Sequence, residues 1–179
     1  MGTTRFGSIT IATAGLTACW LEECALGFFG TYLFTGGRWS QDEPDQVPRV
    51  AAPWLLISIH DSDFTLVHYH PAGPGTGEAF LGYTPRAYFE DAAASAATDP
   101  AREALGLAAW WATQTKGIAS PEQREAKAAE LADYLARDEI PEEAPTAEEA
   151  LDDAEVFVEI KTSRFLTALG LPIPEDLPQ

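Results

Sequence analysis

Apolar and polar residues alternate along the first half of the chain, which is typical of β-strands. Short alternating runs occupy residues 8–13 and 30–34, and the second run stops at Gly36-Gly37, a pair that favours a turn. A polar connector with three acidic residues follows over 40–48. The pattern therefore predicts two N-terminal strands followed by a surface loop.

The clearest local pattern is a β-hairpin over residues 53–70. Two apolar-rich runs, 53–60 and 63–70, flank Asp61-Ser62, which predicts a two-residue turn. In that register one face carries Leu55, Ile57, Ile59, Phe64, Leu66, His68 and His70, and His60 lies on the other face. Both faces are largely apolar, so we expect the hairpin at the centre of a covered sheet. After the glycine-rich loop 71–77, a third strand is predicted over 78–83.

Three helix starts follow, each with a capping residue directly before a proline. They are Thr84-Pro85, Asp99-Pro100 and Ser120-Pro121. The first predicts a short helix and the second a longer one ending near 116–117. The third start also has the capping-box spacing and predicts a helix to about 137.

The last 42 residues, 138–179, consist of an acidic stretch, apolar stretches and a proline-rich tail. The segment 138–155 holds nine acidic residues and no Lys or Arg, residues 156–160 alternate like a strand, and 163–169 predict a short helix before an irregular tail, 170–179. The order of elements predicts a single α+β domain spanning 1–179. Its antiparallel sheet comes from the N-terminal half, with the central hairpin 53–70 plus strand 78–83, and packs against helices from the C-terminal half.

Charge is the unusual feature of the 179-residue composition. The chain has 28 Asp and Glu against 11 Lys and Arg, a net charge of −17. Phosphate backbones and anionic membrane surfaces attract Lys and Arg, so direct nucleic-acid binding and membrane binding are not expected. The two cysteines, Cys19 and Cys24, have neither zinc-ligand nor redox spacing, which predicts reduced thiols in a cytoplasmic protein. Residues 16–19 resemble a lipoprotein cleavage box, which leaves secretion as the alternative.

The histidines are the candidate catalytic or metal-binding residues. All three in the chain lie in the hairpin, and His68 and His70 share one strand face because they are two residues apart. If residue 78 faces residue 70 across the sheet, Glu78 joins them, and His68, His70 and Glu78 form a possible divalent-metal site. Ordinary hydrogen-bonded histidines at a sheet end are the alternative interpretation. No other cofactor is expected, because the chain lacks a nucleotide-binding loop and a nucleophile elbow.

The acidic segment is the candidate partner-binding region. Such dense like charges are usually a solvated face or loop. The alternative is that they meet a basic partner, to which one or two exposed aromatic residues would add affinity. The expected contact residues are Asp138, Glu139, Glu142, Glu143, Glu148, Glu149, Asp152 and Asp153. The sequence thus favours a non-enzymatic binding protein of the immunity, antitoxin or inhibitor kind. The alternatives are a subunit that self-associates through its N-terminal strands or the 156–160 edge, and a small metal-dependent enzyme.

Overall fold

A computed structural model describes residues 28–41, 51–115, 119–138 and 157–178 of the chain. Its five strands form one antiparallel sheet in the order β2-β1-β3-β4-β5. The strands are β1 (Phe28–Thr35), β2 (Arg38–Ser40), β3 (Trp54–His60), β4 (Phe64–His70) and β5 (Glu78–Gly82), and the helices are α1 (Pro85–Tyr88), α2 (Pro100–Gln114), α3 (Pro121–Ala132) and α4 (Val158–Ala168). The predicted α+β arrangement is confirmed, with the β3–β4 hairpin at the centre of the sheet.

The register of the central hairpin differs from the prediction by one residue. His60 pairs with Phe64, so the loop holds three residues, 61–63, instead of two. The extra residue is Asp63, whose N–H donates to the His60 carbonyl at 3.1 Å and whose carbonyl accepts the Tyr83 N–H at 3.2 Å. Asp63 therefore forms a hydrogen bond with Tyr83, directly after β5, and is not part of the β3–β4 hydrogen-bond ladder.

The one-residue shift moves every β4 side chain to the opposite face from the one predicted. Phe64, Leu66, His68 and His70 share a face with Trp54, Leu56 and His60, not with Leu55, Ile57 and Ile59. The three histidines consequently lie on one face of the sheet.

The hydrophobic core fills the space between the other sheet face and the helices α2, α3 and α4. The sheet contributes buried Tyr32, Phe34, Leu55, Ile57, Val67, Tyr69 and Leu81, and the helices contribute Leu107, Trp110, Leu131, Phe165 and Leu166 among others. The Trp110 indole N–H donates to the Trp54 carbonyl at 2.9 Å, so this fully buried ring also has a hydrogen-bond partner for its polar atom.

Each predicted proline-led helix start is confirmed. Thr84, Asp99 and Ser120 accept hydrogen bonds from backbone N–H groups in the first turns of α1, α2 and α3, and Ser120 forms a full capping box with Gln123. The end predicted for α3 was wrong by about one turn. The helix stops at Ala132 because Leu135 bridges Leu81 of β5 and the Ala136 N–H donates to the Phe80 carbonyl at 2.7 Å.

The strand predicted over 156–160 was wrong in its described part. Val158–Ala168 is one helix, α4, with Phe157 at its N-cap. Val158, Thr162, Phe165, Leu166 and Leu169 recur at helical spacing and are all buried, so packing selects the helical period over the alternating one.

The C-terminal tail packs against the outer strands. Trp39 Nε1 donates to the Pro172 carbonyl at 2.7 Å, and Leu177 is buried in the core. The predictions for residues 8–13, for most of the connector 40–48, for both cysteines and for nearly all of segment 138–155 lie outside the described residues.

Candidate functional site

A cleft of about 440 Å³ opens where β4, β5 and the start of α2 meet. Its wall contains all three residues of the predicted metal set, together with Trp54, Phe80 and the polar residues Thr98, Asp99, Arg102 and Glu103. Concave sites with an apolar wall and a few convergent polar groups are the usual form of small-ligand sites. The cleft is therefore the candidate site.

His68 and Glu78 form a direct cross-strand pair in the cleft. They face each other between β4 and β5, and the His68 Nε2–H donates to Glu78 Oε2 at 3.1 Å. The prediction that Glu78 lies opposite His70 was wrong by two residues along β4. A carboxylate that holds an imidazole in one orientation is suited to proton transfer or to binding a polar ligand.

His70 lies at the exposed end of β4, on the same face as His68. Its ring stacks on Trp54, with 6.0 Å between ring centroids and 20° between ring planes. Two stacked aromatic residues therefore form part of the cleft wall.

In the described ranges no three His, Cys, Asp or Glu side chains are grouped closely enough to hold a metal ion. The structure brings His68 and Glu78 into contact, and it places His70 against Trp54 rather than against that pair. The two-residue pair alone provides fewer protein ligands than the three or four usual for zinc.

Glu103 connects the cleft wall to the sheet. Its side chain is only 4% exposed, and its carboxylate accepts the Tyr69 hydroxyl at 2.6 Å and the Thr76 N–H at 2.9 and 3.0 Å. Burial, followed by the Glu103 hydrogen bond and charge, raises the pKa of Tyr69 well above its ordinary value. The phenol therefore stays protonated and remains a donor to Glu103. These contacts fix loop 71–77 against α2.

Arg102 and Asp99 line the cleft on the side of α2. The Arg102 Nε–H lies 3.4 Å from Glu103 Oε1, and about half of the Arg102 side chain is exposed. Asp99 Oδ1 accepts the Arg102 backbone N–H at 3.0 Å and caps α2. The cleft thus contains three carboxylates and one guanidinium group.

Of the eight predicted partner-contact residues, the described residues include Asp138 alone. It accepts hydrogen bonds from the Thr98 N–H at 2.9 Å and the Thr98 hydroxyl at 3.1 Å, and Arg86 Nε is 3.9 Å away. Asp138 therefore connects the chain after α3 to the segment before α2. Glu139, Glu142, Glu143, Glu148, Glu149, Asp152 and Asp153 lie outside the described residues.

A second exposed feature, here named the hairpin-end surface, consists of Asp61, Asp63, Tyr83 and Phe157. Tyr83 is 47% exposed and Phe157 is 56% exposed. Both flank loop 61–63, because the Tyr83 N–H donates to the Asp63 carbonyl and the Val158 N–H donates to the Ser62 carbonyl at 3.1 Å. Two exposed aromatic residues therefore flank the loop that carries the exposed Asp61.

Several of these residues were not predicted as site residues. Asp99 was identified only as a helix cap, and Arg102 and Glu103 carry no local motif, because their approach to β4 is a tertiary contact. Tyr83 and Phe157 were both assigned to strands, and nothing in the alternating pattern distinguishes an exposed ring from a buried one.

Comparison with known proteins finds no matching family model, curated protein or solved structure. No helix in the described part of the chain is long and apolar enough to cross a membrane.

Proposed function

We propose that this protein is a non-enzymatic binding module that holds a basic partner protein, in the manner of an immunity, antitoxin or inhibitor protein. The observation that supports the proposal best is the hairpin-end surface. Aromatic residues at the centre of an interface contribute much of the binding energy, and carboxylates around them favour cationic partners.

The position of the two rings strengthens the argument. In the described part of the chain three large apolar side chains are exposed, Tyr83, Leu105 and Phe157, and two of them flank the same loop. Asp61 is exposed in that loop, and the whole molecule carries a net charge of −17. The long-range field would attract a basic protein, and the aromatic pair would provide short-range contact.

The test begins with capture from the native host at low salt and elution by rising salt. The captured protein is then purified, and its dissociation constant is measured against the isolated chain at several salt concentrations. We expect one basic partner whose affinity falls as salt rises, because screening weakens attraction between opposite charges.

Surface variants decide where the partner binds. The double variant Tyr83→Ser/Phe157→Ser should weaken binding by about 2 kcal/mol or more, roughly thirtyfold. Leu105→Ser is the matched control, since it removes an equally exposed apolar side chain from α2, and it should leave the affinity unchanged.

The acidic segment requires its own variant. Reversing the charges of Glu142, Glu143, Glu148 and Glu149 to Lys should weaken binding and flatten its salt dependence. An unchanged affinity in both this variant and the aromatic double variant would refute the proposal.

A further inference from the structure

The cleft lies at the end of the sheet opposite the hairpin-end surface. Trp54, His70 and Glu78 occupy the ends of β3, β4 and β5 that are remote from loop 61–63. Seven-residue strands such as β3 place Trp54 and His70 about 20 Å from that loop. Phe80, on the near side of the cleft, lies three residues before Tyr83 along the chain. The cleft is therefore a separate site from the proposed partner surface.

One side of the cleft is apolar. The almost fully buried Trp54 and Phe80 line it, and Ala72, Ala96 and Ala97 complete this wall. Such a wall suits an aliphatic stem, since burying each methylene group in it is favourable.

Acceptors outnumber charged donors on the other side of the cleft. Glu78 and Asp99 carry carboxylates that, among the described residues, accept hydrogen bonds through one oxygen each, from His68 Nε2 and from the Arg102 N–H. The second oxygen of each carboxylate is left to bind a donor. The hydroxyl-bearing residues Thr76 and Thr98 line the same space.

The positive groups near the cleft already have anionic partners. The N-terminus of α2, the positive end of its dipole, is capped by Asp99 and has Glu103 in its first turn. The Arg102 guanidinium lies beside Glu103 at 3.4 Å. The cleft is lined by three carboxylates and one guanidinium group, so their net charge repels an anionic ligand and attracts a cationic one.

We propose that this cleft binds a guanidinium or primary ammonium group carried on an apolar stem. The head group would donate to Glu78 and Asp99, and the stem would lie along Trp54 and Phe80. Two sources carry this chemistry, a basic side chain within a peptide and a free small amine.

The experiment is a titration of the isolated chain followed by amide and indole NMR signals. The probes are agmatine as a free amine, the end-blocked peptide acetyl-Gly-Arg-Gly-amide, and the matching citrulline peptide, acetyl-Gly-citrulline-Gly-amide, which has the shape of the arginine peptide without any positive charge. We expect saturable shifts at Thr76, Thr98 and the Trp54 indole with agmatine or the arginine peptide, and none with the citrulline peptide. Tighter binding of agmatine identifies a free amine as the ligand, and binding of the arginine peptide at least as tight identifies a basic side chain.

Conservative variants assign the binding to the two carboxylates. Glu78→Gln and Asp99→Asn keep the shapes of the side chains, and Asn remains a good helix cap. Each variant should raise the dissociation constant by about fivefold, the upper range for a partly exposed ion pair. Glu125→Gln and Asp133→Asn, on exposed positions of and after α3, cause the same loss of charge away from the cleft and should have no effect.

Four results would overturn the proposal. The first is that neither cationic probe gives saturable shifts at the cleft residues. The second is that the citrulline peptide binds as well as the arginine peptide, and the third is that acetate or inorganic phosphate binds there through Arg102 instead. The fourth is an equal loss of affinity in the cleft variants and the α3 variants, because it would show only the attraction of a cation to the whole acidic molecule.

Discussion

His60 is 8% exposed at the end of β3, and its ring stacks on Phe64 with centroids 5.0 Å apart. Burial disfavours the charged imidazolium and lowers the pKa of His60 below its ordinary value of 6.5. In the unfolded chain the same side chain titrates at its ordinary value. The unfolded state therefore binds a proton before the folded state does as the pH falls.

Protein stability should consequently decrease as the pH falls below about 6.5, since protons bind preferentially to the unfolded state there. His60 contributes up to about 1.4 kcal/mol per pH unit to this slope until the folded-state pKa is reached. His60→Gln removes the titration and should flatten the pH dependence of the free energy of unfolding, measured by urea denaturation between pH 7.5 and pH 5. His70→Gln, at an exposed position on the same sheet face, is the matched control. A slope unchanged in His60→Gln would refute the explanation.

At the scale of elements, loop 71–77 packs against α2 at Gly106. A Cβ at Gly106 would overlap the Tyr69 hydroxyl and would lie 2.7 Å from the Ala72 carbonyl oxygen and 3.0 Å from Gly75 Cα. Two of these three atoms belong to the backbone of the loop, which cannot relieve the overlap by changing rotamer as a side chain can. The missing side chain therefore lets the helix and the loop approach each other.

Gly106→Ala should destabilise the protein although Ala is the better helix former by about 1 kcal/mol. The steric cost should exceed that gain and give a net loss of about 1–3 kcal/mol in the free energy of unfolding, measured by urea denaturation. Leu105→Ala, at the neighbouring exposed position, should change it by about 0.5 kcal/mol or less. Stabilisation by Gly106→Ala would show that the loop moves away easily.

The elements also show how much of the fold was predictable. Helix starts at Thr84, Asp99 and Ser120 were predicted because capping is a local interaction within a few residues. The hairpin register was not, because Asp63 is held by a hydrogen bond to Tyr83, twenty residues away. Residues 157–160 satisfy both strand and helix periods, and only contacts with the sheet decide between them.

The same division holds for the site. The sequence identified His68 and Glu78 by their chemistry, but not their pairing, which depends on the register of β5 against β4. Arg102 and Glu103 could not be identified, because no local sequence pattern predicts which residues of the sheet the start of α2 will contact.

At the scale of the whole molecule, the net charge of −17 opposes compaction through self-repulsion. The repulsion acts over about 30 Å at 0.01 M salt but only about 8 Å at 0.15 M. The free energy of unfolding should therefore rise as sodium chloride is added over this range and then level off. Thermal and urea denaturation at several salt concentrations measure the effect.

The double variant Glu125→Lys/Asp133→Lys reduces the net negative charge at exposed positions along and after α3. It should be more stable than the original chain at low salt and should respond less to added salt. A stability that is independent of salt in the unaltered chain would show that local ion pairs outweigh the overall repulsion.

The hydrogen bonds from the Thr76 N–H to the Glu103 carboxylate affect the rate and the entropy cost of ligand binding in the cleft. These hydrogen bonds hold loop 71–77 against α2, so its backbone freedom is lost during folding and not on ligand capture. The Thr76 amide should already exchange its hydrogen slowly with solvent when no ligand is present. A ligand that bound the cleft as proposed would therefore be selected by its fit to a loop already held in place, rather than by closure of that loop.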